Sequence, residues 1–499
     1  MEFLDNLALG FSVALSPSAL LYCLIGVTVG MFIGVLPGIG PIATVGMLLP
    51  ITFHLRPTEA LIMLAGIYYG AQYGGSTTAI LVNLPGESSS VVTTLDGHQM
   101  AKKGRAGPAL GIAAIGSFIA GSIATLLVAL WAPPLAEVAL KFSPAEYFSL
   151  MLFGLIAAIV LARGSLLKAL AMVCVGILLG LVGSDVNTGA IRFALGMPEL
   201  ADGIGFVAVA MAFFGLADVI TNLEKKDEGQ TYTSSIGSVL PSWSDFRISF
   251  WSIMRGTGLG AVLGLLPGGG ALLASFAAYM LEKKVAKPPR TFGEGDIRGV
   301  AGPESANNAG AQTSFIPMLT LGIPSNPTMA LMIGALMIQG IAPGPQVMTE
   351  RPQLFWGLVA SMWIGNFMLL VLNLPLVGLW VRLLKVPYRL LFPTIFVFCC
   401  IGVYATDNKI FDIYVLAVLT AFGYLLLKLD CEPAPLILGF VLGPMMEENL
   451  RRALMIAHGD ATVLVTRPIS ATFLIASVLL LVTIAAPSLR AKREVVLQE

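Results

Sequence analysis

The chain has 499 residues, of which 56% are hydrophobic and only 12% charged, against about 25% charged in soluble domains. A soluble fold of this length would still border water with many residues and could not hide so much apolar surface; with a mean hydropathy of +0.85 the chain reads as an integral membrane protein. Its 29 Lys and Arg balance 29 Asp and Glu, so no basic field marks a nucleic-acid partner.

Met1–Ala19 carries Glu2 and Asp5 but no Lys or Arg, and the first positive residue is Arg56. A cleavable signal needs a basic start, so this segment is expected to stay in the mature protein. Apolar runs able to approach a roughly 30 Å hydrocarbon core follow at 20–36, 107–132, 145–162, 165–183 and 203–222. Others lie at 354–381, 390–405, 413–428 and 468–487. Between them, Gly and Pro interrupt the apolar stretches 37–55, 58–86, 249–281, 305–340 and 433–456. In lipid a broken backbone must be buried in protein or line a cavity, so these segments are expected in the interior. Polar chain is confined to Glu224–Asp245, Glu282–Arg298 and the tail from Ser488. The expected division is a first membrane repeat over 1–223, a polar linker over 224–248, a second membrane repeat over 249–487 and a tail over 488–499.

The two halves share an ordered set of motifs. Gly26-x3-Gly30-x3-Gly34-x2-Pro37-Gly38-x-Gly40 matches Gly256-x3-Gly260-x3-Gly264-x2-Pro267-Gly268-x-Gly270. Further on, Gly70-Ala71-Gln72 matches Gly310-Ala311-Gln312, Leu84-Pro85-Gly86 answers Ile323-Pro324-Ser325, Pro144 answers Pro387, and Leu195-Gly196 answers Leu442-Gly443. The separation drifts upward along the chain almost steadily, as a duplication followed by small insertions would leave it.

Positive residues favour cytoplasmic loops, and corresponding loops differ in their share. Arg56 alone faces Lys283, Lys284, Lys287 and Arg290, whereas Lys102, Lys103 and Arg105 face only Arg351. Lys141 faces Arg382, Lys385 and Arg389, while Arg163 and Lys168 face Lys409. The excess switches halves from loop to loop, as expected if the halves cross the bilayer in opposite senses, with the N-terminus outside. Simple alternation would put Arg490, Lys492 and Arg493 outside as well; a further crossing within 433–456 would bring them inside, so the side of the tail stays open. The expected fold is an all-α polytopic membrane protein of two inverted-topology repeats, with interrupted or re-entrant helices and roughly 10–14 membrane segments.

Small residues at i, i+4 and i+8 make a smooth helix face for close packing. The Pro-Gly-x-Gly turns that follow have two readings: a tight hairpin between helices, or a helix end whose backbone approaches an ion. Their recurrence in both halves favours the second and makes Gly38, Gly40, Gly268 and Gly270 candidates for a cation site. The second pair of interrupted segments is rich in hydroxyls and carboxamides. These groups and freed carbonyls suit Na⁺ or an oxyanion, and helix starts favour carboxylates. Ser76, Thr77, Thr78, Asn83, Pro85 and Gly86 are the candidate substrate-binding residues of the first half. Thr313, Ser314, Gly322, Pro324, Ser325 and Asn326 are those of the second.

Other patterns lead elsewhere. Pro267-Gly268-Gly269-Gly270-Ala271 lacks the Gly-Lys-Ser/Thr of a nucleotide loop. Gly293-Glu294-Gly295-Asp296 imitates the motif of intramembrane aspartyl proteases but lies in a basic, polar loop. No His-Glu-x-x-His or Gly-x-Ser-x-Gly occurs, so no catalytic residue is assigned and no enzyme is expected. The five Cys form no C-x-x-C and the three His are far apart, so neither a metal site nor a cofactor is expected. Asp185, Asp218 and Glu304 border apolar segments and read first as markers of membrane boundaries, with proton coupling as the alternative.

The glycine motifs, Tyr69-Gly70-Ala71-Gln72-Tyr73-Gly74-Gly75-Ser76 and Thr320-Leu321-Gly322-Ile323-Pro324 together resemble the large membrane subunit of the tripartite tricarboxylate transporter family (TctA). The resemblance covers nearly the whole chain. It implies a multi-pass subunit of the bacterial inner membrane that imports di- or tricarboxylates or related organic acids, driven by Na⁺ or H⁺. It also implies two protein partners, a small membrane subunit and a periplasmic solute-binding protein. A passive channel for small organic anions is the alternative reading.

Overall fold

A computed structural model of the chain describes residues 2–36, 40–162, 165–185, 188–224, 238–266, 270–288, 291–383 and 388–485. The longer helices of the first half are α1 Glu2–Ala14, α2 Pro17–Val35, α3 Gly40–Thr52, α4 Pro57–Val82, α5 Ala106–Ala139, α6 Pro144–Leu161 and α7 Leu166–Gly180. Next comes α8, built from Phe206–Ala210, a π-helical Met211–Leu216 and Ala217–Glu224. The second half holds α9 Trp243–Leu263, α10 Gly270–Val285, α11 Arg298–Thr313, α12 Phe315–Leu321 and α13 Pro327–Ile338. It continues with α14 Pro352–Leu383, α15 Tyr388–Asp407, α16 Ile410–Lys428, α17 Pro433–Ile456 and α18 Pro468–Ala485. Extended structure among the described residues is limited to the antiparallel pair Gly183–Ser184 and Ile191–Arg192.

Helix starts carry their own sequence signals. Pro stands in the first turn of α2, α4, α6, α13 and α17, where its missing N–H costs no bond. Ser143 with Glu146 and Ser242 with Asp245 form capping boxes at α6 and α9. The second of these starts α9 at Trp243, inside the stretch read as linker. Where caps and Pro are lacking, sequence patterning is less informative: the π-helical turn inside α8 and the continuity of α4 through its glycines have no plain signal.

Four helical stretches among the described residues are long and apolar enough to cross a membrane unaided: Pro17–Val35, Ala106–Ala139, Pro352–Trp380 and Ile410–Lys428. Shorter apolar helices accompany them, and large apolar side chains such as Trp131, Leu178, Val371, Val418 and Leu479 stay exposed. An apolar outer surface of this kind suits hydrocarbon and not water. The molecule is an all-α membrane protein.

Two helices form its middle. α4 is buried from Glu59 to Val82 and α11 over its whole length, although α11 is rich in polar residues. Each is seated by a glycine stripe. A methyl on Gly26, Gly30 or Gly34 of α2 would stand 2.3, 2.4 and 2.3 Å from the carbonyl oxygens of Met63, Ile67 and Ala71 on α4. On α9 a methyl at Gly256, Gly260 or Gly264 would stand 2.2, 2.2 and 2.4 Å from the carbonyl oxygens of Gly302, Ala306 and Gly310 on α11. Backbones at this range leave no room for a side chain, and the same device serves both halves.

The inward position of α11 corrects one expectation. Glu304 does not mark a boundary; it is fully buried in the middle of α11. Asp185 is also buried, beyond the end of α7, where Arg451 reaches it at 2.9 Å and Arg192 at 3.4 Å. The side chain of Asp218 lies outside the described residues.

Candidate functional site

Helix starts from both halves converge on a cavity of about 510 Å³. α3 opens at Gly40 and α10 at Gly270, with φ of +59° and +49°, a left-handed start that glycine adopts without strain. The third is α13, whose cap Asn326 accepts the Met329 N–H at 3.0 Å through Oδ1. The first turn of a helix presents unpaired N–H groups and the positive end of the helix dipole. Pro85, Gly86 and Glu87 add a loop that returns from the end of α4. Gly86 wedges this loop against the α2–α4 pair: a methyl there would stand 1.9 Å from the Gly34 carbonyl oxygen and 2.7 Å from Gly75 Cα. A further part of the wall is largely apolar and includes Ala158, Ala162, Phe213, Phe214 and Leu438, with Glu432 among them at the start of α17.

Five residues expected at a site line this cavity: Pro85, Gly86 and Asn326, expected to hold substrate, and Gly40 and Gly270, expected to hold a cation. The last two open helices, so their ends carry N–H groups and suit an anion, contrary to the cation reading. Gly38 and Gly268 lie outside the described residues. Most of the hydroxyls turn to the protein itself. Ser76 donates to Glu304; Thr77 donates to the Tyr73 carbonyl at 3.4 Å; Thr78 donates to the Gly34 and Gly74 carbonyls at 3.1 Å each. Thr313 donates to the Ala309 carbonyl at 3.0 Å and Ser314 to the Gly310 carbonyl at 2.6 Å. Ser314 also accepts from Asn326 Nδ2 at 3.1 Å, and Ser325 lies 3.5 Å from the Ser314 carbonyl. Asn83 and Gly322 end α4 and α12 in left-handed conformations, and Pro324 is buried beside Ser325. A hydroxyl on a helix reaches the carbonyl one turn back, and sequence spacing does not show when it will do so.

Beside Asn326, the cavity's polar side chains are ones the sequence reasoning passed over: Tyr68, Gln72, Glu87, Ser88, Ser89, Thr328 and Glu432. Gln72 had a usable signal, its place in the duplicated Gly-Ala-Gln. Glu87 accepts from the Ser89 hydroxyl and, at 3.1 Å, from Asn307 Nδ2 on α11. With its amide nitrogen turned to the carboxylate, Gln72 stands 2.6 and 3.0 Å from the two Glu87 oxygens. Behind this group, Glu304 accepts from Ser76 on α4 and from Thr93. Two carboxylates from different halves therefore meet between α4 and α11, and among the described residues neither forms an ion pair with Lys or Arg.

The loop that imitates a protease motif has a packing role instead. Backbone N–H groups of Gly293, Gly295 and Asp296 each donate to Asp96 Oδ1 at 2.8 Å, and Tyr279 donates to Asp96 Oδ2 at 3.0 Å. Asp296 pairs with Arg298 at 2.7 Å; burial pushes its carboxyl up, but the Arg298 bonds outweigh this and hold it below the usual carboxylate range.

A family model described as "Tripartite tricarboxylate transporter TctA family" matches residues 20–438. The chain is 57% identical over 499 residues, covering 100% of its length and 99% of the relative's, to an uncharacterized 52.8 kDa protein in the TAR-I ttuC' 3'region of Agrobacterium vitis. It is 58% identical over 240 residues, 48% of this chain and 99% of the relative, to an uncharacterized protein in the TAR-II ttuC' 3'region of the same organism. No solved structure matches.

Proposed function

The chain belongs to the tripartite tricarboxylate transporter TctA family, and on that premise we propose that it is the large membrane subunit of a cation-coupled, binding-protein-dependent importer of di- or tricarboxylates or related organic acids. The observation that carries this reading is the cavity on which helix starts from both halves converge. Carboxylate oxygens accept from free N–H groups at helix starts and gain from the helix dipole without any fixed positive side chain. We place the substrate between Gly40, Gly270, Pro85–Gly86 and Asn326, with Tyr68 and Gln72 as further polar contacts. The other hydroxyls first expected at the site then shape the two broken segments from behind.

Glu87 gives the reading its coupling. Two like charges about 6 Å apart repel by roughly 3 kcal/mol at an effective dielectric of about 20. A substrate anion beside Glu87 is therefore favoured only when a cation or proton enters with it. The duplicated glycine stripes support two repeats, and the loop charges support their inversion, with the N-terminus outside. The partners are a small membrane subunit and a periplasmic solute-binding protein, in the bacterial inner membrane.

The test is uptake into proteoliposomes holding the chain with both partners, across a panel of carboxylates, with Na⁺ and H⁺ gradients imposed separately. Accumulation that follows one cation gradient is expected. Uptake that continues at the same rate after every gradient is collapsed would replace the carrier with a pore.

A further inference from the structure

We propose that the junction of α4, α5, α11 and α14 binds Na⁺ on the side-chain oxygens of Ser305, Asn308, Gln312 and Asn366. The proposal rests on the reading of the chain as a cation-coupled carrier and gives that cation a place.

Ser305, Asn308 and Gln312 stand at i, i+3 and i+7, so they share one stripe of α11. All three, and Asn366 on α14, are 0% exposed. Small residues of α5 admit them. A methyl on Gly116 would stand 3.0 Å from Ser305 Oγ, and a methyl on Gly121 would stand 2.9 Å from Asn366 Oδ1. Between these two positions Asn308 Nδ2 donates to Ser117 Oγ at 2.7 Å. Yet among the described residues Ser305 Oγ, Asn308 Oδ1, both amide atoms of Gln312 and both of Asn366 have no hydrogen-bond partner, and the hydroxyl of Tyr73 on α4 is in the same condition. A buried polar group without a partner loses the hydrogen bonds it would make in water and gains none in return. The oxygens among them lack what a cation supplies, and the two amide nitrogens lack acceptors, which water carried with the ion supplies.

The chemistry selects the species. Hydroxyl and carboxamide oxygens are hard, neutral donors. Ca²⁺ draws on several carboxylates and transition metals on imidazole or thiolate, and no group of three or more such side chains occurs among the described residues. A carboxyl group is at hand: Glu304 stands one turn before Asn308 on α11, and its backbone carbonyl accepts from Asn308 Nδ2 at 3.1 Å. A proton would serve Glu304 but would leave the carboxamide oxygens without a partner, which favours a metal ion. The site is also next to the cavity. Asn307, beside Asn308 in the chain, donates to Glu87 on the cavity wall, so an ion here would act on the substrate's repulsion through one layer of side chains.

Trp363 provides the readout. Its indole donates to the Ser122 carbonyl at 3.0 Å, next to Gly121, and it stands one turn before Asn366 on α14. The full-length protein in nanodiscs is titrated with NaCl against choline chloride at constant ionic strength while tryptophan emission is followed, and Trp363→Phe isolates that residue's share. A saturable Na⁺ response, weaker with K⁺, is expected, with half-saturation moved at least about tenfold upward in Asn308→Ala and Gln312→Leu. Asn366→Leu guards against misfolding: it removes two unpartnered atoms, so its Na⁺-free thermal midpoint is expected to hold while Na⁺ no longer raises it. No alkali-ion response in the wild type, or unchanged half-saturation in every variant, overturns the site. Proton-driven uptake with no Na⁺ response overturns the site and leaves the carrier standing. A normal Na⁺ response without carboxylate uptake alongside the partners overturns the carrier and leaves the site.

Discussion

Glu87 stands on the polar side of a cavity to which helix starts from both halves contribute, and its carboxylate bears on the electrostatics of whatever binds there. Glu87→Gln keeps the shape and the hydrogen bonds from Ser89 and Asn307 while removing the charge. With the repulsion gone, a carboxylate is expected to bind about tenfold or more tightly without the coupling cation. Exchange should persist and gradient-driven accumulation should fail. Ligand-induced thermal stabilisation with and without Na⁺, beside counterflow in proteoliposomes, measures both; an unaltered cation dependence would remove Glu87 from the coupling. Asn326 separates capping from binding. Asp caps a helix as well as Asn does, and the Tyr68 and Ser314 hydroxyls that accept from Asn326 Nδ2 can turn and donate to a carboxylate, so Asn326→Asp should leave the thermal midpoint nearly unchanged. Its added charge among the helix starts should nonetheless weaken carboxylate binding at least tenfold. Asn326→Ala, by contrast, should lose about 1 kcal/mol of stability as well. Normal uptake by the Asp variant would place the substrate elsewhere. Asn326 was legible in the sequence because its cap and following Pro coincide with a break in an apolar run. Glu87 was not, because a carboxylate beside three serines reads as loop until the fold sets it against Asn307 of the other half.

Among the helices, the glycine stripes were the most legible feature and carry a sharp contrast. Gly258 and Gly260 are two residues apart on α9. Among the described residues a methyl on Gly258 meets nothing within 4 Å, whereas one on Gly260 would stand 2.2 Å from the Ala306 carbonyl oxygen. Gly258→Ala is therefore expected to be neutral or stabilising by up to about 1 kcal/mol, through helix propensity alone. Gly260→Ala must push α9 from α11 and should cost about 1–3 kcal/mol. Thermal unfolding of the two variants in the same detergent decides this; equal midpoints would mean that the α9–α11 pair yields easily. Apolar patterning also located most helices, and Pro and Ser at their starts placed several ends closely. The interruptions placed 305–340 in the interior, but patterning could not show that α11 would be buried from Arg298 onward, in a stretch read as polar chain and its border. Hydropathy scores side chains against water, and here the neighbours are other helices that supply hydrogen bonds, so Glu304 at the centre of α11 looked like a boundary residue.

At the scale of the whole molecule the cavity has two unlike walls, and this bears on how a carrier would move. The polar wall comes from helix starts and the Pro85–Glu87 loop, close to α4 and α11; the apolar wall comes largely from α6, α8 and α17. The outer helices pack among themselves: a methyl on Gly176 of α7 would stand 2.0 Å from the Leu436 carbonyl oxygen of α17, and Ser149 of α6 meets Ser470 of α18 at 2.6 Å. The described residues 144–162, 165–180 and 433–485 thus join across the halves into one body. Sliding an apolar wall along a substrate held by N–H groups elsewhere breaks no hydrogen bond, so in the proposed carrier this outer body moves and the polar wall stays. Phe206 of α8 and Phe440 of α17, with ring centroids 6.1 Å apart, lie where the outer body meets its neighbours. A reducible crosslink between Phe206→Cys and Phe440→Cys is expected to stop uptake and release it on reduction. The same linkage between Ser149→Cys and Ser470→Cys, inside the outer body, is expected to leave uptake unchanged. Full uptake with the first pair linked would mean that the outer helices do not move against the substrate, and would assign the motion to the glycine-packed pairs α2–α4 and α9–α11.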